Sequence, residues 1–390
     1  MKQIVIKKIS EDENLILLLE DGILIEKHLE NSNNKNIEGN IYIGKVQNVL
    51  PGLDATFVNI GKNKNAFIAA NDIIPKKDIL KEKIKQDKEV INKLVRPGDP
   101  ILVQVKKDTC MKKGVRLTTH LKIPGRFVVL CPNTPFITVS QKIGNKEKRE
   151  ELIEIIRKNL SEEYGAIART NALEASEEDI VQDIKNLLNI WEKIRKEEIN
   201  DYPKKVYDTG GIIRKLLIDV IDDNLETIIV EDEVLKSQIL EELKFLNKEI
   251  ELKLDKEDIL YNYNLDRQLK NIDDRKIWLK SGGFITIDKT EALTAIDVNT
   301  GKSIGKNDLE KTIYNVNYEA TIEIAKQLRL RDIGGIIIID YIDMHIEENK
   351  KNIYELLKKE TNKDRSKVQI EGFTKLNLME LTRKHLYSNS

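Results

Sequence analysis

Cysteine is scarce in this 390-residue chain, which has only Cys110 and Cys131. Two cysteines so placed make no disulfide framework, and no CxxC pair is present for structural zinc. A reducing, cytoplasmic setting is expected. Aromatics are few at 5 %, and the 8 prolines and 19 glycines rule out a collagen-like or low-complexity chain. No apolar run approaches the roughly 20 residues of a membrane span. The start, MKQIVIKKISEDEN, lacks the long apolar core of a signal peptide. An excess of one charge is also missing, since 65 Lys and Arg face 66 Asp and Glu for a net charge of −1. That argues against a wholly basic nucleic-acid protein, although an average conceals local faces. What remains is a chain with 34 % charged and 40 % hydrophobic residues, too apolar to be disordered and long enough for several domains of roughly 100–200 residues each.

Short β-branched segments dominate the first third. QIVIKKI, NLILLLE and GILIEKHLE read as strands, with Asp21-Gly22 as a hairpin turn. From Ile37 to Leu121 further short strands, punctuated by Pro51-Gly52, Gly61 and Pro97-Gly98, predict a small β-barrel. A charged insert at 72–95 reads as partly helical. Residues 122–205 mix strands with two amphipathic helices, one placing Leu152, Ile155, Ile156 and Leu160 on one face. Residues 206–275 run strand and helix again. Residues 276–390 have an α/β pattern, with an amphipathic helix over about 307–331.

Two strand ends carry the chemistry. In SGGFITIDKTEALTAIDVNTGKS, Asp297 follows the apolar part of a strand, and Asn299 points to the same side two residues on. In IGGIIIIDYIDM, four isoleucines read as a fully buried strand ending at Asp340. Carboxylates at strand ends can converge at one sheet edge. Asp297, Asn299 and Asp340 are hard oxygen ligands suited to Mg²⁺ or Mn²⁺. Asp and Asn after a strand are equally ordinary turn residues, so spacing alone leaves both readings open. Asp343 and His345 are alternatives beside the second strand.

In the barrel, Tyr42, Phe57 and Phe67 are either core residues or exposed rings for stacking on unpaired bases. Charge favours the second. Residues 101–126 hold Lys106, Lys107, Lys112, Lys113, Arg116, Lys122 and Arg126 against the single acid Asp108, a possible track for a phosphate backbone. Farther on, AIARTNA ends a strand with Arg169 and Thr170, a guanidinium and a hydroxyl side by side for a phosphate or merely for the surface.

Taken together, these segments resemble the ribonuclease E/G family of bacterial endoribonucleases. IYIGKVQNVLPGLDATFVNIGKNKNAFI looks like its S1-type barrel and AIARTNA like its 5′-phosphate sensor strand. GGFITIDKTEALTAIDVNTGK and AKQLRLRDIGGIIIIDYIDM look like its two catalytic segments, and VQIEGFTKLNLMELTRK like the strand and helix after them. The resemblance implies a mixed α+β and α/β multidomain fold. An RNase H-like domain (1–36 and 206–275) would receive an S1-type OB-fold barrel (37–121) and a 5′-sensor subdomain (122–205). A DNase I-like catalytic domain (276–390) would follow. It implies Mg²⁺-dependent internal cleavage of single-stranded AU-rich RNA in rRNA and mRNA processing, leaving 5′-phosphate and 3′-hydroxyl ends. Asp297 and Asp340 match the metal-binding aspartates, and Asn299 the residue that positions the scissile phosphate. Phe57, Phe67 and the lysine region at Lys112 match the RNA grip, and Arg169 with Thr170 the 5′-monophosphate pocket; Lys106, Lys112 and Lys113 would track the RNA backbone. Family members often carry arginines where this chain has Gln141 and Lys142. No CPxC zinc-link motif follows the core, so no zinc and no zinc-linked dimer are expected, though a homo-oligomer stays open. A non-catalytic RNA-binding or assembly protein derived from the same family is the competing reading.

Overall fold

Local sequence signals set most of the elements seen in the computed structural model, which describes residues 1–31, 37–75, 91–107, 114–197, 201–221, 224–246, 248–301 and 309–386. These residues belong to two units, Asn34–Asp222 and the pair Met1–Asn33 with Asp223–Ser388. The chain opens on an antiparallel meander of β1 (Lys2–Ser10), β2 (Glu13–Glu20) and β3 (Ile23–Asn31). Asp21 and Gly22 take φ of 51° and 74°, the left-handed backbone that an Asp-Gly hairpin turn requires.

Within Asn34–Asp222, the strands β4 (Ile41–Leu50), β5 (Ala55–Asn59), β6 (Ala66–Ala69), β7 (Pro100–Lys107) and β8 (Arg116–Thr118) pair in the order β4-β5-β6-β8-β7. Pairing of β7 back onto β4 closes a five-stranded barrel, which removes free strand edges. Val46, Val58, Ile68, Val103, Val105 and Leu117 fill it. Of the insert read as partly helical, Ile91–Leu94 is a short helix, α1, and residues 76–90 lie outside the described ones.

The same unit continues with β9 (Ile123–Pro124), β10 (Val128–Cys131), β11 (Ile137–Val139) and β12 (Gly165–Ala168), in the order β11-β12-β10-β9. The amphipathic helices α2 (Lys146–Asn159) and α3 (Glu177–Arg195) cover this sheet with Leu152, Ile156, Ile184, Leu187 and Trp191. Asn145 and Ser176 cap them, each accepting a backbone N–H from three residues on. β13 (Lys204–Tyr207) pairs with β4 at Ile41–Ile43, the end that β5 does not cover, and α4 (Ile212–Val220) follows.

In the other unit, β14 (Leu225–Val230) pairs in parallel with β1, and after α5 (Glu233–Phe245) β15 (Glu251–Leu254) pairs in parallel with β14. The sheet order is therefore β15-β14-β1-β2-β3. After the short helices α6 (Ile259–Asn262) and α7 (Leu265–Lys270) come β16 (Lys276–Trp278), β17 (Phe284–Lys289), β18 (Leu293–Asn299), α8 (Leu309–Leu330), β19 (Gly335–Asp340), α9 (Glu347–Asn362), β20 (Val368–Phe373) and β21 (Leu378–Arg383). These strands form a sheet ordered β16-β17-β18-β19-β21-β20. Ile313, Ala320 and Ile324 of α8 and Ile353 and Leu357 of α9 pack with Ile285, Ile296, Ile337, Ile339 and Leu381. One face of the sheet is thus core.

The opposite face is open, which overturns the fully buried reading of the four isoleucines. Ile337 and Ile339 are buried, whereas Ile336 is 51 % exposed. Isoleucine suits the pleat on both sides, so composition concealed the alternation. LNLMELTRK is likewise a strand and not the expected helix. Asn377 takes φ of 60° and turns β20 into β21, which pairs with β19. Met379, Leu381 and Arg383 are buried with a period of two.

Candidate active site

Register brings the two aspartates together. β18 and β19 run parallel with Asp297 directly beside Asp340, and neighbouring strands lie about 4.8 Å apart. Both carboxylates stand on the open face, because Ile296, Val298, Ile337 and Ile339 take the alternate positions into the core. The Asn299 amide donates to Asp297 Oδ2 at 2.5 Å. Beyond it, the Gly282-Gly283 turn packs against the end of β18. A Cβ on Gly283 would lie 2.8 Å from the Asn299 carbonyl oxygen, so no side chain fits there.

Asp343 follows on the loop after β19. Asn317, fully buried in α8, fixes that loop by donating to the Ile342 carbonyl at 2.8 Å and accepting the Ile342 N–H at 3.1 Å. Thr321 and the buried Tyr341 hydroxyl share a hydrogen bond of 2.9 Å one turn along. The Glu310 carboxylate accepts the backbone N–H groups of His345 and Ile346 and the Asn349 amide, serving the start of α9, whose own first residues offer no side-chain cap. These donors hold the Glu310 carboxyl below its ordinary value. His345 itself is exposed and enters the arrangement through its backbone.

Electrostatically the pair is uncompensated. Among the described residues, neither Asp297 nor Asp340 has a Lys, Arg or His within ion-pair distance. Desolvation, then the like charges of Asp297 and Asp343, push the Asp340 carboxyl up. No group of three or more His, Cys, Asp or Glu among the described residues is arranged to hold a metal alone. Two carboxylates with a carboxamide fit a hard divalent cation whose remaining positions go to water and phosphate, as Mg²⁺ prefers.

On the barrel, Phe57 and Phe67 pair across β5 and β6. Their rings meet edge to face at 6.0 Å, and the Arg116 guanidinium lies 6.0 Å from the Phe67 ring. Both rings are half-buried on the outside, because Val58, Ala66 and Ile68 point inward. Tyr42 is buried in the barrel core instead. The basic stretch also divides. Lys107, Arg116 and Lys122 are exposed, Lys106 pairs with Asp72 at 2.6 Å, and Lys112 and Lys113 lie outside the described residues. Arg126 is no part of a surface track. It is buried, donating from Nε to the Ile221 carbonyl and stacking on Phe127. The guanidinium is planar and stacks readily, which a count of charges cannot register.

Arg169 and Thr170 follow β12. Arg169 donates to the Gly125 carbonyl at 2.7 Å and pairs with Asp219. The Asp183 carboxylate, from α3, accepts the N–H groups of Arg126, Phe127 and Val128 and sits where a Cβ on Gly125 would fall. Asp183, Asp219 and Arg169 thus clamp one corner, of which sequence flagged only Arg169. Gln141 and Lys142 are exposed on a loop that Arg149 ties down through the Ser140 and Ile143 carbonyls.

Comparison with known proteins matches residues 122–386 to the model of the ribonuclease E/G family. Ribonuclease G of Salmonella typhimurium is 37 % identical over 383 residues, covering 96 % of this chain and 78 % of its own length. Ribonuclease G of Haemophilus influenzae is 38 % identical with the same coverage. A putative ribonuclease E of Buchnera aphidicola is 32 % identical over 100 % of this chain and 96 % of its own. The match takes in both aspartate-bearing strands and the clamp around Arg169, and with it the chain belongs to the ribonuclease E/G family of endoribonucleases.

Proposed function

We propose that the chain is a Mg²⁺-dependent endoribonuclease that cuts single-stranded, AU-rich RNA internally and leaves 5′-phosphate and 3′-hydroxyl ends. The observation that carries this is the in-register pair Asp297 and Asp340, exposed on an open sheet face without a compensating cation among the described residues. Asp297 and Asp340 hold the cation. When bound, it neutralises charge at the scissile phosphate and makes water a better nucleophile near neutral pH. Asn299 braces Asp297 and orients the phosphate. Asn317 keeps the loop carrying Asp343 in place, so the local negative field is preorganised rather than assembled on binding.

In this reading the closed barrel is an S1-type module whose outer Phe57, Phe67 and Arg116 grip unpaired RNA, aided by Lys106, Lys112 and Lys113. The sheet containing β1 and β14 is an RNase H-like scaffold, and the sheet containing β18 and β19 is DNase I-like. Arg169 and Thr170 receive a 5′-monophosphate, which must compete with Asp219 for the guanidinium. The test is cleavage of a 5′-monophosphorylated AU-rich oligonucleotide by the wild type, Asp297→Asn and Asp340→Asn, in Mg²⁺ and in EDTA. Cleavage by the wild type in Mg²⁺ alone is expected. Undiminished cleavage by either variant, or in EDTA, overturns the assignment.

A further inference from the structure

The open face that carries the aspartates also carries an ordered aromatic group. Trp278 on β16 lies opposite Phe284 on β17, and Phe284 lies opposite Asn299 on β18. Residues directly opposite in a sheet project to the same side, so Trp278, Phe284 and Asn299 form one row. The next row runs Lys276, Thr286, Asp297, Asp340. The Trp278 and Phe284 rings meet edge to face at 5.3 Å. The Lys276 ammonium lies 4.0 Å from the centre of the Trp278 ring and 3.6 Å from that of Phe284. These contacts hold the indole in place, yet 64 % of Trp278 remains exposed. Arg275 engages Asp288 with two hydrogen bonds of 2.5 and 2.7 Å, so the nearby carboxylate on this face is already neutralised.

We infer that Trp278, held by Phe284 and Lys276, is a stacking platform for an unpaired nucleobase of the RNA close to the cut. A flat, immobilised aromatic surface accepts any base face. The Lys276 cation beside it favours the adjoining phosphate. Two strand spacings, about 10 Å, separate Trp278 from Asn299, which puts the stacked base near the phosphate that Asn299 orients. The platform rests on the endoribonuclease reading and deepens it, by adding a positioning residue on the cutting sheet itself.

The experiment uses Trp278→Ala and Trp278→Tyr in the full chain. Substrates are an AU-rich oligonucleotide and a set in which each nucleotide around the cut is abasic in turn. Trp278→Ala should lose about 5- to 150-fold in kcat/KM on intact RNA, the range for one lost base stack, and Trp278→Tyr should recover most of it. One abasic position should cost the wild type a similar factor and cost Trp278→Ala nothing more. In uncut complexes of Asp340→Asn, RNA should quench the exposed Trp278; Trp191, the other tryptophan, is buried. Wild-type kcat/KM in Trp278→Ala, equal abasic penalties in both proteins, absence of quenching, or a changed oligomeric state in Trp278→Ala would each overturn the platform. A wild type that cuts nothing in Mg²⁺ would instead overturn the endoribonuclease reading, and quenching would then judge the platform alone.

Discussion

The two ends of the β19 strand treat acidic residues in opposite ways. Before its first residue, Asp332 meets Arg383, which is fully buried and donates to Asp332 at 2.7 Å, to Asp364 at 2.7 Å and to the Ile333 carbonyl at 3.0 Å. At its last, Asp340 faces Asp297 and Asp343 with no cation among the described residues. The β1–β3 sheet follows the first pattern, with Glu26 buried between Arg365 and His28. Where a carboxylate serves stability, the fold supplies an arginine with matched donors. The pair at the open end has no such partner among the described residues.

Four substitutions and one titration can break or sharpen this contrast. The largest effect belongs to Asp340→Asn. Cleavage should fall by at least about a thousandfold, the several kcal/mol that metal-ion catalysis supplies. Its melting temperature should stay at or above that of the wild type, because like-charge repulsion is relieved. A clear loss of stability would place Asp340 with the structural acids. Next is Arg383→Met, expected to cost about 3–5 kcal/mol in denaturant unfolding by stranding Asp364. An unfolding midpoint unchanged from the wild type would remove the distinction from the other side.

Glu26 gives a pH test of similar size. Burial alone would raise its carboxyl, but the Arg365 charge and the His28 hydrogen bond outweigh that and bring it down from 4.5 to about 2. A depressed folded value contributes stability that is fully present above the unfolded value and is lost as pH falls from about 4.5 towards 2. On the order of 3 kcal/mol should disappear over that window, and Glu26→Gln should flatten it. Equal acid sensitivity in both proteins would show that Glu26 is not strongly coupled to Arg365. The smallest effect is Phe67→Ala on the barrel. RNA binding by Asp340→Asn should weaken by about 1–3 kcal/mol with no change in melting of the carboxylate-bearing unit. Unaltered affinity would make the Phe57–Phe67 pair a packing feature.

Sequence made the acidic strand ends visible because Asp297 and Asp340 each interrupt an apolar run, and parallel strands follow once α8 is recognised between them, but the register that sets one beside the other came only with the fold. The supports of the site were hidden. Asn317 sits in mid-helix, where a polar residue normally faces water, and its two bonds to Ile342 exist only after β19 is placed. Trp278 in KIWLK gives no sign of exposure, since tryptophan in a strand usually packs. Leu378, Met379 and Leu381 suit a helical as well as an alternating period, and only the left-handed Asn377 decides between them. Arg126 shows the same limit for charge, as a guanidinium counted as surface is spent inside.

The parallel pairing of β1 with β14 has a consequence for synthesis. Residue 2 and residue 225 are sheet neighbours, so the N-terminal meander emerges from the ribosome with one edge of β1 unfilled. Val5 and Ile6, buried in the finished sheet, must wait while the closed barrel and its neighbouring sheet, which have cores of their own, are translated. That wait favours an inserted unit that folds early by itself, and it leaves the β1 edge open to aggregation or to a holdase chaperone until β14 arrives.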